Sequence, residues 1–215
     1  MVRLLIPLLF LAVTTVAFAC SDGEDTPDAT PTPVFQAADP DILSALVLAP
    51  EDTAPLAPVG SSFSPTAAGV VSFFTVYGDT SFRVQSTVGT FGDIASRELY
   101  ITDIRRALAA AIGNERNLNL DGVERGFVYR YLDGTPSTAA FAINGSFYVL
   151  VQMISEDGTR GTDVYDESLL NRYVQTSIDR IRQYEQDPAS IRRPDWAPPY
   201  APSTPAPAGT TPTPE

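Results

Sequence analysis

The sequence predicts an α+β domain: an antiparallel sheet of about five strands with three amphipathic helices packed on it, in the order α, β, β, α, β, β, β, α. Two observations predict it. Runs rich in β-branched and aromatic residues are separated by the turn dipeptides Gly78-Asp79, Asp133-Gly134 and Asn144-Gly145, which fold neighbouring strands into antiparallel hairpins. Three other segments repeat apolar residues at helical spacing, and such faces need a surface to bury them.

The elements follow in order. Asp39 and Pro40 supply an N-cap and a first helical position, and Ile42, Leu43, Leu46 and Val47 continue an opening helix until Pro50 stops it. GVVSFFTVY (69–77) and FRVQSTVGT (82–90) form the first hairpin. A helix over 94–112 lines up Ile94, Ile101, Ile104, Leu108 and Ile112, with Gly113-Asn114 as its stop and Arg97, Glu98, Arg105 and Arg106 on its other face. Strands follow at 123–132, 138–143 and 147–154. A closing helix over 166–185 aligns Leu169, Leu170, Tyr173, Val174, Ile178 and Ile181.

Three stretches carry a resemblance: DILSALVLAPEDTAPL, the strand VQSTVGTF, and the hairpin NGSFYVLVQMIS with the amphipathic helix after it. They resemble bacterial lipoproteins with a PsbP-like αβα domain, over most of 41–181. The resemblance implies that layered fold. Its motifs are soft hydrophobic patterns, so it implies no catalytic or binding residue. Where those sequences run from ALVLAPED into a glycine and aromatic turn, this chain has Thr53, Ala54, Pro55 and Leu56.

Residues 1–19 read as a signal peptide, with a charge at Arg3, an apolar run over 4–18 and a small residue at the end. The run is shorter than the roughly 20 residues of a spanning helix and is interrupted by Pro7. Ala17, Phe18, Ala19 and Cys20 resemble a lipobox, in which the cysteine is acylated; the same residues satisfy the A-x-A rule of simple secretion. Cys20 is the only cysteine, so no internal disulfide exists and a lone thiol at this position favours lipidation. Two or more acyl chains there give stable membrane anchoring. The expected organisation is a signal peptide (1–19), a lipidated Cys20 with an acidic Pro/Thr tether (20–38), one domain (39–191) and a Pro/Ala/Thr-rich tail (192–215). The functional alternative for the Thr/Pro tail is O-glycosylation or insertion into a cell-wall meshwork, and a further alternative is that Trp196 and Tyr200 fold back onto the domain.

Composition excludes much chemistry. The chain has no histidine and no lysine, and its one thiol is at the anchor. Histidine triads, thiol catalysis, the usual His/Cys metal sites, Schiff bases and P-loops all lack their essential side chains. Carboxylates remain, 26 of them, densest at Glu156, Asp157, Asp163, Asp166 and Glu167. Paired carboxylates serve hydrolysis or hold calcium, but Glu156-Asp157-Gly158 reads equally as a turn and Asp166-Glu167 as a helix start. Asn117, Asn119, Asp121 and Gly122 match the first half of an EF-hand loop; the twelfth position is Val128, so a turn is the better reading. Asn144-Gly145-Ser146 matches a glycosylation sequon but sits in a hairpin turn. The formal net charge of −12 argues against nucleic acid, and Arg105-Arg106 and Arg192-Arg193 are small basic islands on solvated surface.

The expectation is a membrane-tethered extracytoplasmic lipoprotein, at the cell surface or in the periplasm, acting as a non-catalytic binding or assembly module. It has no cofactor and no metal, with the membrane and an envelope protein as partners. The first alternative captures a small ligand in an apolar cleft between sheet and helix, lined by Phe73, Phe74, Tyr129 and Tyr148. The second is a carboxylate-dependent hydrolase.

Overall fold

The computed structural model describes residues 38–65, 70–109, 115–131, 135–156, 158 and 163–201. The signal peptide, Cys20, almost all of the tether, the Asp133-Gly134 and Gly113-Asn114 turns, and the tail after 201 lie outside the described residues.

The opening segment departs from one continuous helix. Asp39 accepts the N–H of Asp41 and starts a 3-10 turn at Pro40–Ile42, which leads into α1 (Leu43–Leu46). At Val47 the chain becomes extended, with ψ of 171°. The reason lies in the backbone partners. Leu48 N–H donates to Ser86 Oγ at 3.2 Å, its carbonyl accepts from Tyr77 Oη at 2.8 Å, and the Val47 carbonyl accepts from Arg180 at 2.6 Å. These groups bond to the sheet and to a distant helix instead of to a helical turn. A second short helix, α2 (Pro50–Thr53), follows.

Seven strands replace the five expected. β1 (Pro58–Pro65) and β4 (Arg116–Asn117) are the additions; β2 (Val71–Gly78), β3 (Phe82–Thr90), β5 (Arg125–Tyr131), β6 (Ser137–Asn144) and β7 (Phe147–Ser155) correspond to the expected runs. They form one sheet in the order β1-β2-β3-β7-β6-β5-β4, with every neighbouring pair antiparallel. Gly78 (φ 152°) and Gly145 (φ 55°) occupy the turns where glycine was read. Helix α3 (Ile94–Ala109) joins β3 to β4, and α4 (Glu167–Gln186) follows β7.

Alternation along the strands creates two cores. On one face α1 and α4 pack on Phe73, Val84, Val88, Val149, Val151 and Met153, with Leu170, Val174, Ile178 and Ile181 of α4 fully buried. Each such aliphatic burial is worth about 1.5–3 kcal/mol. On the other face Ile101 of α3 covers an aromatic set that includes Phe91, Phe127, Phe141 and Tyr148. Of the expected α3 stripe, Ile101 and Ile104 pack inward and Tyr100 joins them, while Ile94 is 42 % exposed; the Leu108 side chain and Ile112 lie outside the described residues. Ile94 is the first helical residue, and Asp93 caps the helix by accepting from Ser96 N–H at 2.7 Å.

The chain stays packed beyond 191, the expected end of the domain. Ala197 is buried, Trp196 lies 6.2 Å from Phe73 and Tyr200 meets Phe63 edge-on, the fold-back alternative for this segment. Among the described residues no helix is long and apolar enough to cross a membrane.

Candidate functional site

Three segments distant in sequence meet at one end of the sheet. After α2 the chain turns, with Leu56 N–H donating to the Thr53 carbonyl at 3.0 Å, and Gly78 N–H pins it by donating to the Ala57 carbonyl at 2.8 Å. The β2–β3 turn is fixed by Asp79, whose Oδ1 accepts from Ser81 N–H, Ser81 Oγ and Phe82 N–H at 2.7–2.9 Å. Glycine is required at position 78, because a Cβ there would lie 2.2 Å from the Phe82 carbonyl oxygen. The third wall is α4. Asp166 caps it, accepting from Leu169 N–H at 3.1 Å, and burial of Leu170 and Val174 turns Leu169 and Arg172 outward.

Between them lies a cleft of about 390 Å³, walled by Leu56, Phe82, Leu169 and Tyr173, with Arg172 at its rim. It is larger than the recess between α3 and β5 (about 260 Å³) and the one at the β1 edge (about 240 Å³). Tyr173 is 4 % exposed, and burial pushes its phenol above the ordinary tyrosine range against the opposing effect of Arg172. The Arg172 guanidinium lies 5.6 Å from the Tyr173 ring centroid, within cation–π range.

The residues singled out in the sequence lie elsewhere. Phe73, Tyr129 and Tyr148 are buried to 1 % exposure or less and pack as core rings, while Phe74 is half-buried on the sheet. They do not line this cleft. Small or polar neighbours leave room for rings that the core then fills: Gly89 sits beneath Tyr148, where a Cβ would lie 2.3 Å from the ring.

The acidic cluster is divided among structural roles. Glu156 pairs with Arg83 at 3.3 Å, Glu167 takes both Arg116 and Arg130, Asp166 is the helix cap, and Asp163 opens a 3-10 turn. Asp157 lies outside the described residues. The EF-hand-like segment is a turn before β5, with Gly122 at φ 77° and Asp121 bonded to Arg182 at 2.5 Å. Among the described residues no group of three or more acidic, His or Cys side chains gathers in a way that could hold a metal ion. Of the basic islands, Arg105 pairs with Glu115, Arg106 with Asp103 at 3.0 Å, and Arg193 donates to the Ala197 carbonyl at 2.6 Å. Asn144 ends β6 in the hairpin turn, where Gly145 N–H donates to Glu124 at 2.8 Å.

The fold and site define an α+β domain with helices on both faces of a seven-stranded antiparallel sheet and an apolar, arginine-rimmed cleft at one end. No family model matches the chain, and no curated protein matches it. A solved structure, the extracellular domain of PknH from Mycobacterium tuberculosis, aligns with a TM-score of 0.48 at 10 % identity, covering 69 % of this chain and 99 % of that one.

Proposed function

We propose that the protein is an extracytoplasmic lipoprotein, anchored through Cys20, whose domain binds a ligand without converting it. The observation that carries this reading is the cleft between Leu56, Phe82, Leu169 and Tyr173: concave, apolar and formed by three rigidly pinned segments. The engagement of Glu156, Asp166 and Glu167 in ion pairs and a helix cap supports a binding role over a hydrolytic one. The signal layout and the single cysteine support the anchor. The PsbP-like αβα likeness belongs to the same reading, and helices on both faces of an antiparallel sheet support it.

A second reading, docking of an envelope protein, is favoured by Val59 and Trp196, which are 56 % and 39 % exposed and line one recess at the β1 edge. One experiment separates the two. The anchored protein is crosslinked in intact cells and what co-purifies is identified by mass spectrometry, in the wild type and in Leu169→Trp, which fills the cleft. An organic molecule lost from Leu169→Trp supports the cleft; a protein partner retained by it, with no such molecule, overturns the cleft in favour of the β1 edge.

A further inference from the structure

Among the described residues nine of the twelve arginines are ion-paired. Arg83, Arg97, Arg105, Arg106, Arg125 and Arg180 each meet a carboxylate, as do both partners of Glu167 and the Arg182 guanidinium. With 26 acidic residues against 14 basic ones, acids are in excess, and an arginine outside any ion pair is in the minority among the described residues. Among the described residues Arg172 makes no ion pair, and neither do Arg192 and Arg193 in the C-terminal segment. Arg172 alone of the three borders the apolar cleft at the start of α4.

We propose that this cleft takes a single-chain amphiphile with a carboxylate head, its alkyl body against Leu56, Phe82, Leu169 and the Tyr173 ring and its carboxylate on the Arg172 guanidinium. The proposal rests on the reading of the cleft as the ligand site. Three features select that chemistry. The accessible hydrocarbon of the walls lies on the half-buried Leu56 and Leu169 and the exposed Ala54, Pro55 and Ala57, with Phe82 and Tyr173 beneath, and rewards an apolar body through area removed from water. The guanidinium is planar and weakly hydrated, matches a carboxylate fork with two parallel N–H donors, and is steadied over the Tyr173 ring. The acidic background and the nearby Asp79 disfavour a dianion such as a phosphate, since one arginine offsets only one negative charge and the excess would be repelled. Asp79 itself is directed to its own turn, its Oδ1 already accepting from Ser81 and Phe82.

The test uses the full chain carrying Cys20→Ala, so that no acyl chain competes, and isothermal titration with decanoate, decanol and decyltrimethylammonium below their micelle concentrations. Decanoate is expected to bind about tenfold more tightly than decanol, the size of a charge-assisted hydrogen-bonded pair at a rim, and the cationic probe not to bind. Arg172→Gln removes the tenfold advantage and leaves decanol unchanged; Leu169→Trp, checked for a wild-type melting curve, abolishes both. If decanol matches decanoate in the wild type, or Arg172→Gln leaves decanoate affinity intact, the carboxylate assignment is overturned while the cleft still stands. If no probe binds, or Leu169→Trp changes nothing, the cleft reading fails and the assignment with it.

Discussion

The Arg180 guanidinium lies 2.8 Å from the Asp52 carboxylate, and the pair locks the turn between α1 and α2 onto α4. Asp52 also accepts from Ala49 N–H at 2.6 Å while Arg180 donates to the Val47 carbonyl at 2.6 Å. The two side chains are only 17 % and 23 % exposed. Removing one partner leaves the other charge poorly solvated and frees one backbone group, the Ala49 N–H without Asp52 or the Val47 carbonyl without Arg180. Asp52→Asn and Arg180→Met should each cost about 2 kcal/mol, read as a lower urea midpoint, with a double variant losing much less than the sum. Additive losses would mean that the pair does not act as a unit.

Gly89 is needed for the room its missing side chain leaves. Gly89→Ala should destabilise by about 1–3 kcal/mol, because the Tyr148 ring at 2.3 Å has to move and it is packed against Tyr100 and Phe141. In a Tyr148→Ala background the same change should cost almost nothing beyond that of Tyr148→Ala itself. Equal costs in the two backgrounds would rule out the ring as the cause.

Asp166 serves α4 as a cap, so its role is replaceable by another cap. Asp166→Ala should lower stability by about 1 kcal/mol and Asp166→Ser should recover most of it. Thermal melts of the two variants decide this. Failure of serine to rescue would point to a charge-dependent role for the carboxylate.

Buried phenols set the alkaline limit. Burial raises Tyr77 to about 12; burial, followed by the Glu115 hydrogen bond, raises Tyr129 to about 12, and burial raises Tyr148 as well. A raised acid pKa means that the folded state favours the protonated phenol. The contribution is complete below the unfolded tyrosine value of about 10 and is lost as pH rises from there through the folded value. Tyr77 and Tyr129 should therefore each cost about 1 kcal/mol between pH 10 and pH 11. Tyr77→Phe loses the bond to Leu48 and about 1 kcal/mol at pH 7, and should converge on the wild type near pH 11. Denaturation curves at pH 7, 9 and 11 test this; a constant gap would contradict it.

Hairpin strands and the long closing helix were legible because each carries its own signal: a turn glycine between β-branched runs, or an apolar stripe sustained over more than three turns. β1 carried neither. PVGSSFSP is bounded by prolines and contains three serines, and only its pairing with β2 along one edge makes it a strand. β4 has two residues, too few for any period. The cleft was illegible for a different reason. Leu56, Phe82 and Leu169 converge only through the sheet, and no spacing along the chain relates them. One local trace existed, since the Thr53-Ala54-Pro55-Leu56 departure is the stretch that forms one wall. Arg172 gave no trace, because its lack of a carboxylate is visible only once the other arginines have been matched.

The contact between Tyr200 N–H and Asp41 Oδ1 joins positions 159 residues apart, at the two ends of the packed chain. Its consequence is mechanical. Tension applied between Ala38 and Ala201 meets that hydrogen bond first. Past that bond the load passes to the Trp196 and Tyr200 rings and through them to Phe73 of β2 and Phe63 of β1, so the two ends of the packed chain are tied to the same edge of the sheet.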